Sequence, residues 1–360
     1  MKYDVMHFEA LGAESTHLEE ETNKLIEAGK LDKDIKYVIT PLTVQEYLEE
    51  NKDIELPDII STKTHSRLPE DYINSGNKKS VITRSAGYDH YEDLADKVNI
   101  ASLREYCINA VAQTAIKFVY ATCGEFNEYI RNTAVFERNK TSSFMELNEN
   151  RVATVYGVGK IGKRTYDLLQ ANGLTTQAVD IRAEELKELD EYKNVTFISK
   201  EEAIKNSDIL VNVMNLTKIE DSRFYNMNYF NEEYLSKAKE GIMFINVTRG
   251  EIAPEAVILD LYKSGKIRGI GLDVFSNEAI LTDYLRKNDF TGCENKDILA
   301  SKEIIECSID KSENFYVQAH QGFNSDCAAV DKAHEAMMHV AYWYSNNKKG
   351  FAEQLPYYEG

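Results

Sequence analysis

Short apolar runs alternate with amphipathic stretches along most of this chain, and the alternation predicts strands and helices in turn. In the N-terminal part, apolar runs at 2–8, 35–40, 57–62 and 80–83 predict strands, and helical spacing over 14–28 and 43–50 predicts helices between them. Strands interleaved with helices imply a parallel sheet covered on both faces. A long helical pattern follows from about 109 to 132, with Gly124 inside it, and 137–150 reads as a polar connection. The alternation then resumes, with predicted strands at 151–156, 174–179, 195–198, 209–213, 242–247, 267–274 and 315–319. Helices are predicted over 160–172 and 254–264, the second with Pro254 in its first turn and Gly265 just past its end. The polar, lysine-rich stretch 281–312 receives no assignment from the pattern. A last helical pattern occupies 327–347, before an acidic, aromatic tail.

One strand-to-helix junction carries a specific message. Gly157-Val158-Gly159-Lys160-Ile161-Gly162 follows the predicted strand 151–156 and opens the next helix, and Asp180 ends the following strand, 18 residues beyond Gly162. In this GxGxxG arrangement the first glycine permits the turn and the second lets backbone approach a pyrophosphate. The third lets the helix pack close to the strand. The pyrophosphate would lie on the positive helix N-terminus, at Lys160 and Ile161. A carboxylate at the place of Asp180 accepts the ribose hydroxyls of NAD and repels a 2′-phosphate, so NAD is expected over NADP. Arg182, two residues on, could offset part of that repulsion.

Composition narrows the partners. The chain has 360 residues, enough for two to three domains, and a net charge of −18, which argues against nucleic acid or an anionic membrane surface. Its five cysteines are odd in number and form no CxxC pair, which fits a reducing compartment and no structural zinc. The N-terminus is soon interrupted by charge, and no run approaches the roughly 20 apolar residues of a membrane span. These features predict a cytoplasmic protein.

Ligands of open α/β sheets bind beyond the carboxyl ends of the strands. Arg249 follows the predicted strand 242–247, Asp273 lies at the end of 267–274 with Glu278 in the loop after it, and His320 directly follows 315–319. An arginine, a carboxylate and a histidine on that rim suit hydride transfer to the keto carbon of a 2-keto acid. The guanidinium fork holds the substrate carboxylate through two hydrogen bonds. Histidine gives a proton to the developing alkoxide, and a nearby glutamate favours its protonated form. His334 and His339 are five apart and share no helix face, so no metal pair is expected.

With these residues in place, the chain resembles the D-isomer-specific 2-hydroxyacid dehydrogenases, especially their D-lactate dehydrogenase branch. Arg84-Ser85-Ala86-Gly87-Tyr88-Asp89-His90 is similar to the family's substrate loop, which implies that the Ala86 and Gly87 amides bind the substrate carboxylate. Tyr106 and Asn109-Ala110-Val111-Ala112 match the segment entering the cofactor domain, where the tyrosine lines the active site. Asn246-Val247-Thr248-Arg249-Gly250 matches the run around the catalytic arginine, with Val247 and Thr248 on the cofactor side. Gly271 through Glu278 matches the run carrying two acids; the resemblance places Asp273 beside the nicotinamide and pairs Glu278 with the histidine. His320 and Phe323 match the general acid/base and an aromatic residue of the substrate pocket. Ala319, where the family usually has proline, and Gln321-Gly322 depart from its pattern and bear on the substrate.

The resemblance implies two doubly wound α/β domains with a cleft between them, a Rossmann NAD-binding domain (109–323) inserted into a flavodoxin-like substrate domain (1–108 with 324–360). It further implies a homodimer and reduction of pyruvate or a close analogue by NADH to a D-2-hydroxy acid. Two rivals remain at this stage. One is a dehydrogenase for bulkier branched or aromatic 2-keto acids, and the other a non-catalytic, NADH-sensing interaction protein.

Overall fold

The structure, a computed structural model, describes residues 2–358. Two compact units divide the chain. One runs through Cys107 and resumes at Asn324, and the other spans Ile108–Phe323.

The first unit holds five parallel strands, β1 (Val5–His7), β2 (Tyr37–Ile39), β3 (Ile59–Thr62), β4 (Ser80–Thr83) and β5 (Asn99–Ser102), in the order β2-β1-β3-β4-β5. Both faces of β1, β3, β4 and β5 are buried, as a sheet covered by crossover helices requires. Val44–Glu50 starts sharply because Thr43 and Glu46 form a capping box. Helix Ala13–Glu27 packs against Asp326–Ser345, the helix that returns from the far end of the chain. Two side chains anchor that return. The indole of Trp343 donates to Ser80 Oγ at 2.8 Å, and Tyr357 accepts from the Ser102 amide at 2.6 Å.

The second unit is a six-stranded parallel sheet of β6 (Val152–Tyr156), β7 (Thr175–Val179), β8 (Ile209–Asn212), β9 (Ile242–Asn246), β10 (Ile267–Leu272) and β11 (Phe315–Val317). Their order is β11-β10-β9-β8-β6-β7. The order reverses between β6 and β8, which makes the carboxyl end of β6 a switch point and places the glycine-rich turn there. The strand predicted at 195–198 is reduced to one bridge, Ala178 with Phe197, beside β7.

One predicted helix needs correction, and one unassigned stretch proves to be regular structure. The single helix expected over 109–132 is two helices, Ile108–Cys123 and Phe126–Thr133, because Glu125 adopts a left-handed conformation (φ 51°) directly after Gly124. The unassigned stretch 281–312 is largely helical, with Glu278–Lys287 and Lys296–Asp310 separated by a short turn. Asn295 caps the second of these, accepting from the Asp297 and Ile298 amides. Leu281, Ile298, Ala300 and Ile304 reach the core of this unit, so these helices belong to its covering layer. β5, absent from the sequence reading, is one of the two edge strands of the first sheet. No helix among the described residues is long and apolar enough to cross a membrane.

Candidate active site

The turn after β6 behaves as the glycine spacing demands. Gly157 has φ +84°, and a side chain there would also collide with the Met214 backbone. A Cβ on Gly162 would overlap the Gly157 carbonyl, so only glycine lets helix Lys160–Ala171 lie this close to the turn. Gly159 differs: a Cβ there would meet nothing nearer than Arg182 Nη2 at 4.0 Å. The space over Gly159, at a helix start formed by Lys160 and Ile161, fits a pyrophosphate group. Asp180 follows β7 and is nearly buried. Its carboxylate accepts from the Val158 amide at 2.7 Å and the Arg182 amide at 2.8 Å, and lies 3.6 Å from Arg182 Nε. The donor set and the open cradle are those of a dinucleotide site. Thr248 Oγ1, on the adjacent rim, accepts from Asn212 at 3.1 Å, and the Val247 amide reaches the Asn212 carbonyl at 3.4 Å.

The catalytic candidates of this unit assemble on the same edge. Asn246 Nδ2 donates to the Arg249 carbonyl at 2.9 Å, and Arg249 Nη1 donates to the Thr248 carbonyl at 2.8 Å, which shapes the turn after β9. A Cβ on Gly250 would strike the backbone of Phe275 and Ser276, so the loop after β9 and the loop after β10 are pressed together. Glu278 opens the helix that follows β10. Its Oε2 lies 2.9 Å from His320 Nδ1, and its Oε1 accepts from the Phe275 amide at 3.2 Å. Burial would raise the Glu278 carboxyl. The hydrogen bond and charge of His320, the Phe275 amide and the charge of Arg249 outweigh burial and hold it below the usual carboxylate range. Phe323 meets the His320 ring edge-on, at 6.4 Å between centroids.

His320 is itself in the left-handed region (φ 51°), a conformation that a non-glycine residue keeps only when its surroundings hold it there. Asp273 is what holds it. Its carbonyl accepts from the His320 amide at 2.6 Å, and its buried carboxylate accepts from Gln318 Nε2 (2.7 Å), the Gln321 amide (2.7 Å) and the Gly322 amide (2.8 Å). The resemblance put Asp273 at the cofactor; in this structure its carboxylate is turned to the loop that carries the histidine. The neighbouring turn has its own support, missed by sequence reasoning. Glu255 accepts from Ser276 through both amide (2.6 Å) and hydroxyl (2.5 Å), and burial pushes its carboxyl up to about 8 against those hydrogen bonds. Gln318, Gln321 and Glu255 lie within two residues of His320 or Pro254, but nothing in the sequence marks such polar residues as supports.

Ala86, Gly87 and Tyr106 belong to the first unit, where the 86–87 pair lies in the loop after β4 and Tyr106 is buried. Among the described residues no cluster of histidine, cysteine, aspartate and glutamate is arranged to hold a metal ion.

Residues 116–300, just over half of the chain, match the family model described as D-isomer specific 2-hydroxyacid dehydrogenase, NAD binding domain. A D-lactate dehydrogenase of Treponema pallidum is 26% identical over 223 residues, covering 58% of this chain and 61% of that protein. Glyoxylate reductase 1 of Saccharomyces cerevisiae is 27% identical over 281 residues, 71% of this chain and 77% of that one. Among solved structures, the D-lactate dehydrogenase of Aquifex aeolicus complexed with NAD and lactic acid superposes with a TM-score of 0.72 at 20% identity. That match covers 97% of this chain and 99% of the other.

Two variants test the corner around His320. Glu278→Gln removes the carboxylate that engages His320 Nδ1, so kcat for keto-acid reduction should fall roughly tenfold or more, the scale of a lost charged hydrogen bond. An unchanged kcat in this variant would separate Glu278 from the histidine. Asp273→Asn turns an amide toward the Gln321 and Gly322 donors, and kcat should drop roughly tenfold or more, the scale of a lost charged hydrogen bond; steady-state kinetics read it directly.

Proposed function

This chain belongs to the D-isomer specific 2-hydroxyacid dehydrogenases, and from that membership we propose that it reduces pyruvate or a close analogue to the D-2-hydroxy acid. It is an NAD-dependent D-2-hydroxyacid dehydrogenase. NADH, when bound, supplies the hydride. The glycine turn, Lys160, Ile161, Asp180, Val247 and Thr248 would hold the dinucleotide. The observation that carries the catalytic reading is the 2.9 Å pair of His320 Nδ1 with Glu278 Oε2 on the rim that also bears Arg249. With Nδ1 engaged by the carboxylate, Nε2 is the atom left to give its proton to the substrate oxygen as negative charge develops there. Arg249 is assigned to the substrate carboxylate, and the family resemblance gives the same role to the Ala86 and Gly87 amides and a substrate contact to Tyr106 and to Phe323. Asp273 acts through His320 as a positioning residue.

We further propose that the protein is a homodimer. Support comes from a run of exposed apolar side chains in the second unit: Tyr120, Phe126, Ile130, Val135, Phe136 and Phe144, with Val135 80% and Phe136 76% exposed. Such residues gathered within one short segment support an interaction surface there. A cytoplasmic location is part of the same reading.

The deciding experiment is NADH oxidation with pyruvate, longer aliphatic 2-keto acids and phenylpyruvate, followed by chiral analysis of the product. A D-hydroxy acid supports the proposal, and the preferred chain length separates pyruvate from a branched or aromatic substrate. His320→Ala should bind NADH normally yet lose roughly 10²- to 10⁴-fold in turnover; a near-normal rate would remove the histidine from catalysis. Light scattering should give twice the mass of one chain, and a monomer would end the dimer proposal.

A further inference from the structure

Two of the three glycines in the turn after β6 are required by the protein itself, and the middle one is not. Gly157 has a positive φ, and Gly162 has the Gly157 carbonyl against it. Gly159 keeps an extended conformation (φ −65°, ψ −167°) that any residue can adopt. The room left over it is bordered by a charged head group. Arg182 Nη2 lies 4.0 Å from where a Cβ on Gly159 would stand, and nothing outside the turn itself comes nearer.

Arg182 reaches that place because the turns after β6 and β7 are tied together. The Gly157 amide donates to the Val179 carbonyl at 2.8 Å, and the Val158 amide to the Asp180 carboxylate at 2.7 Å. The Arg182 side chain is only 14% exposed, and its Nε stands 3.6 Å from Asp180 Oδ1, longer than a hydrogen bond. Asp180 is already oriented by the Val158 and Arg182 amides. Glu185, three residues on, has a counter-charge of its own in Arg223 at 2.8 Å. The guanidinium thus turns its Nε edge toward Asp180 and its Nη2 toward the glycine turn.

A dinucleotide's pyrophosphate is a dianion, and the helix start at Lys160 and Ile161 offers amides and the equivalent of about half a charge. In a chain of net charge −18, a full cation beside those amides adds what backbone dipoles lack. A guanidinium stays charged at any working pH, and its planar fork matches phosphate oxygens. It carries five donors, so a phosphate oxygen can join the contacts it already makes. A 2′-phosphate would instead lie on the ribose side, against the Asp180 carboxylate that repels it.

We propose that Arg182 is a cofactor-binding residue that takes the pyrophosphate of NADH across Gly159, rather than the 2′-phosphate of NADPH. This rests on the reading of the Gly157–Gly162 turn as the pyrophosphate site.

The test is calorimetric binding of NADH, NADPH, ADP and 2′,3′-dideoxy-ADP to the full chain. Arg182→Met should weaken NADH, ADP and 2′,3′-dideoxy-ADP alike by roughly tenfold or more, the scale of a lost charged hydrogen bond. Arg182→Lys, which keeps the charge and loses the fork, should give a smaller loss of the same pattern, and it carries the comparison should the methionine variant fail to fold. The dideoxy nucleotide lacks the hydroxyls assigned to Asp180, so a loss that spares it means Arg182 acts through Asp180 and overturns the inference. Unchanged NADH affinity, or a loss greater for NADPH than for NADH, overturns it as well. In those cases the wild-type protein still binds NADH and the reading of the turn stands. A wild type that binds neither NADH nor ADP overturns both.

Discussion

A histidine that must donate a proton in one direction and recover it in the other needs a fixed orientation, and three residues from the end of a short edge strand there is little regular structure to provide one. The carboxylate of Asp273 provides it. Set at the end of β10, it collects the Gln318 side chain and the amides of Gln321 and Gly322, while its carbonyl takes the His320 amide. Removing this one group would leave several donors unpaired beside a left-handed residue, so the conformation of the corner and the reach of the imidazole depend on it together.

Around that anchor the rim is built by close approach. The loop bearing Arg249 and the loop leading to Glu278 touch at Gly250, and Glu255 ties down the second loop through Ser276. Glu278 then sits between a histidine and an arginine, both of which favour its ionised form. The chain as a whole is strongly acidic, yet its second sheet presents Arg182 and Arg249 at its carboxyl edge. Local placement therefore overrides global charge where an anionic ligand is concerned.

Most of this architecture was legible in the sequence, because buried parallel strands are near-continuous apolar runs and their ends are where chemistry collects. The pairing of Glu278 with His320, expected from position and resemblance, is a direct contact in the structure. Other features were hidden for definite reasons. The helix Lys296–Asp310 buries a narrow stripe and surrounds it with lysine and glutamate, so its composition reads as a surface segment. β5 has a single large apolar residue, Ile100, and owes its burial to the helices and tail packed on it rather than to its own pattern. The break at Glu125 is a backbone choice that helical spacing cannot register, and the strand expected near Phe197 has apolar residues but pairs at one point only. Asp273 was found by position, but its partners Gln318 and Gln321 were not, since an amide side chain acquires such a task only from the turn that surrounds it.

The two anchors of the returning C-terminal helix, Trp343 on Ser80 and Tyr357 on Ser102, carry a consequence for biosynthesis. Residues 2–107 are made before the helix Asp326–Ser345 that packs on them, whereas residues 108–323 carry a sheet and core of their own. The second unit thus has its whole sheet available while translation continues, whereas helix Ala13–Glu27, whose Thr22 meets Met337, lacks its partner until residues 326–345 arrive. Completion of the earlier-made sheet therefore comes after the later-made unit has all of its own chain, which leaves the first unit open to aggregation the longer of the two.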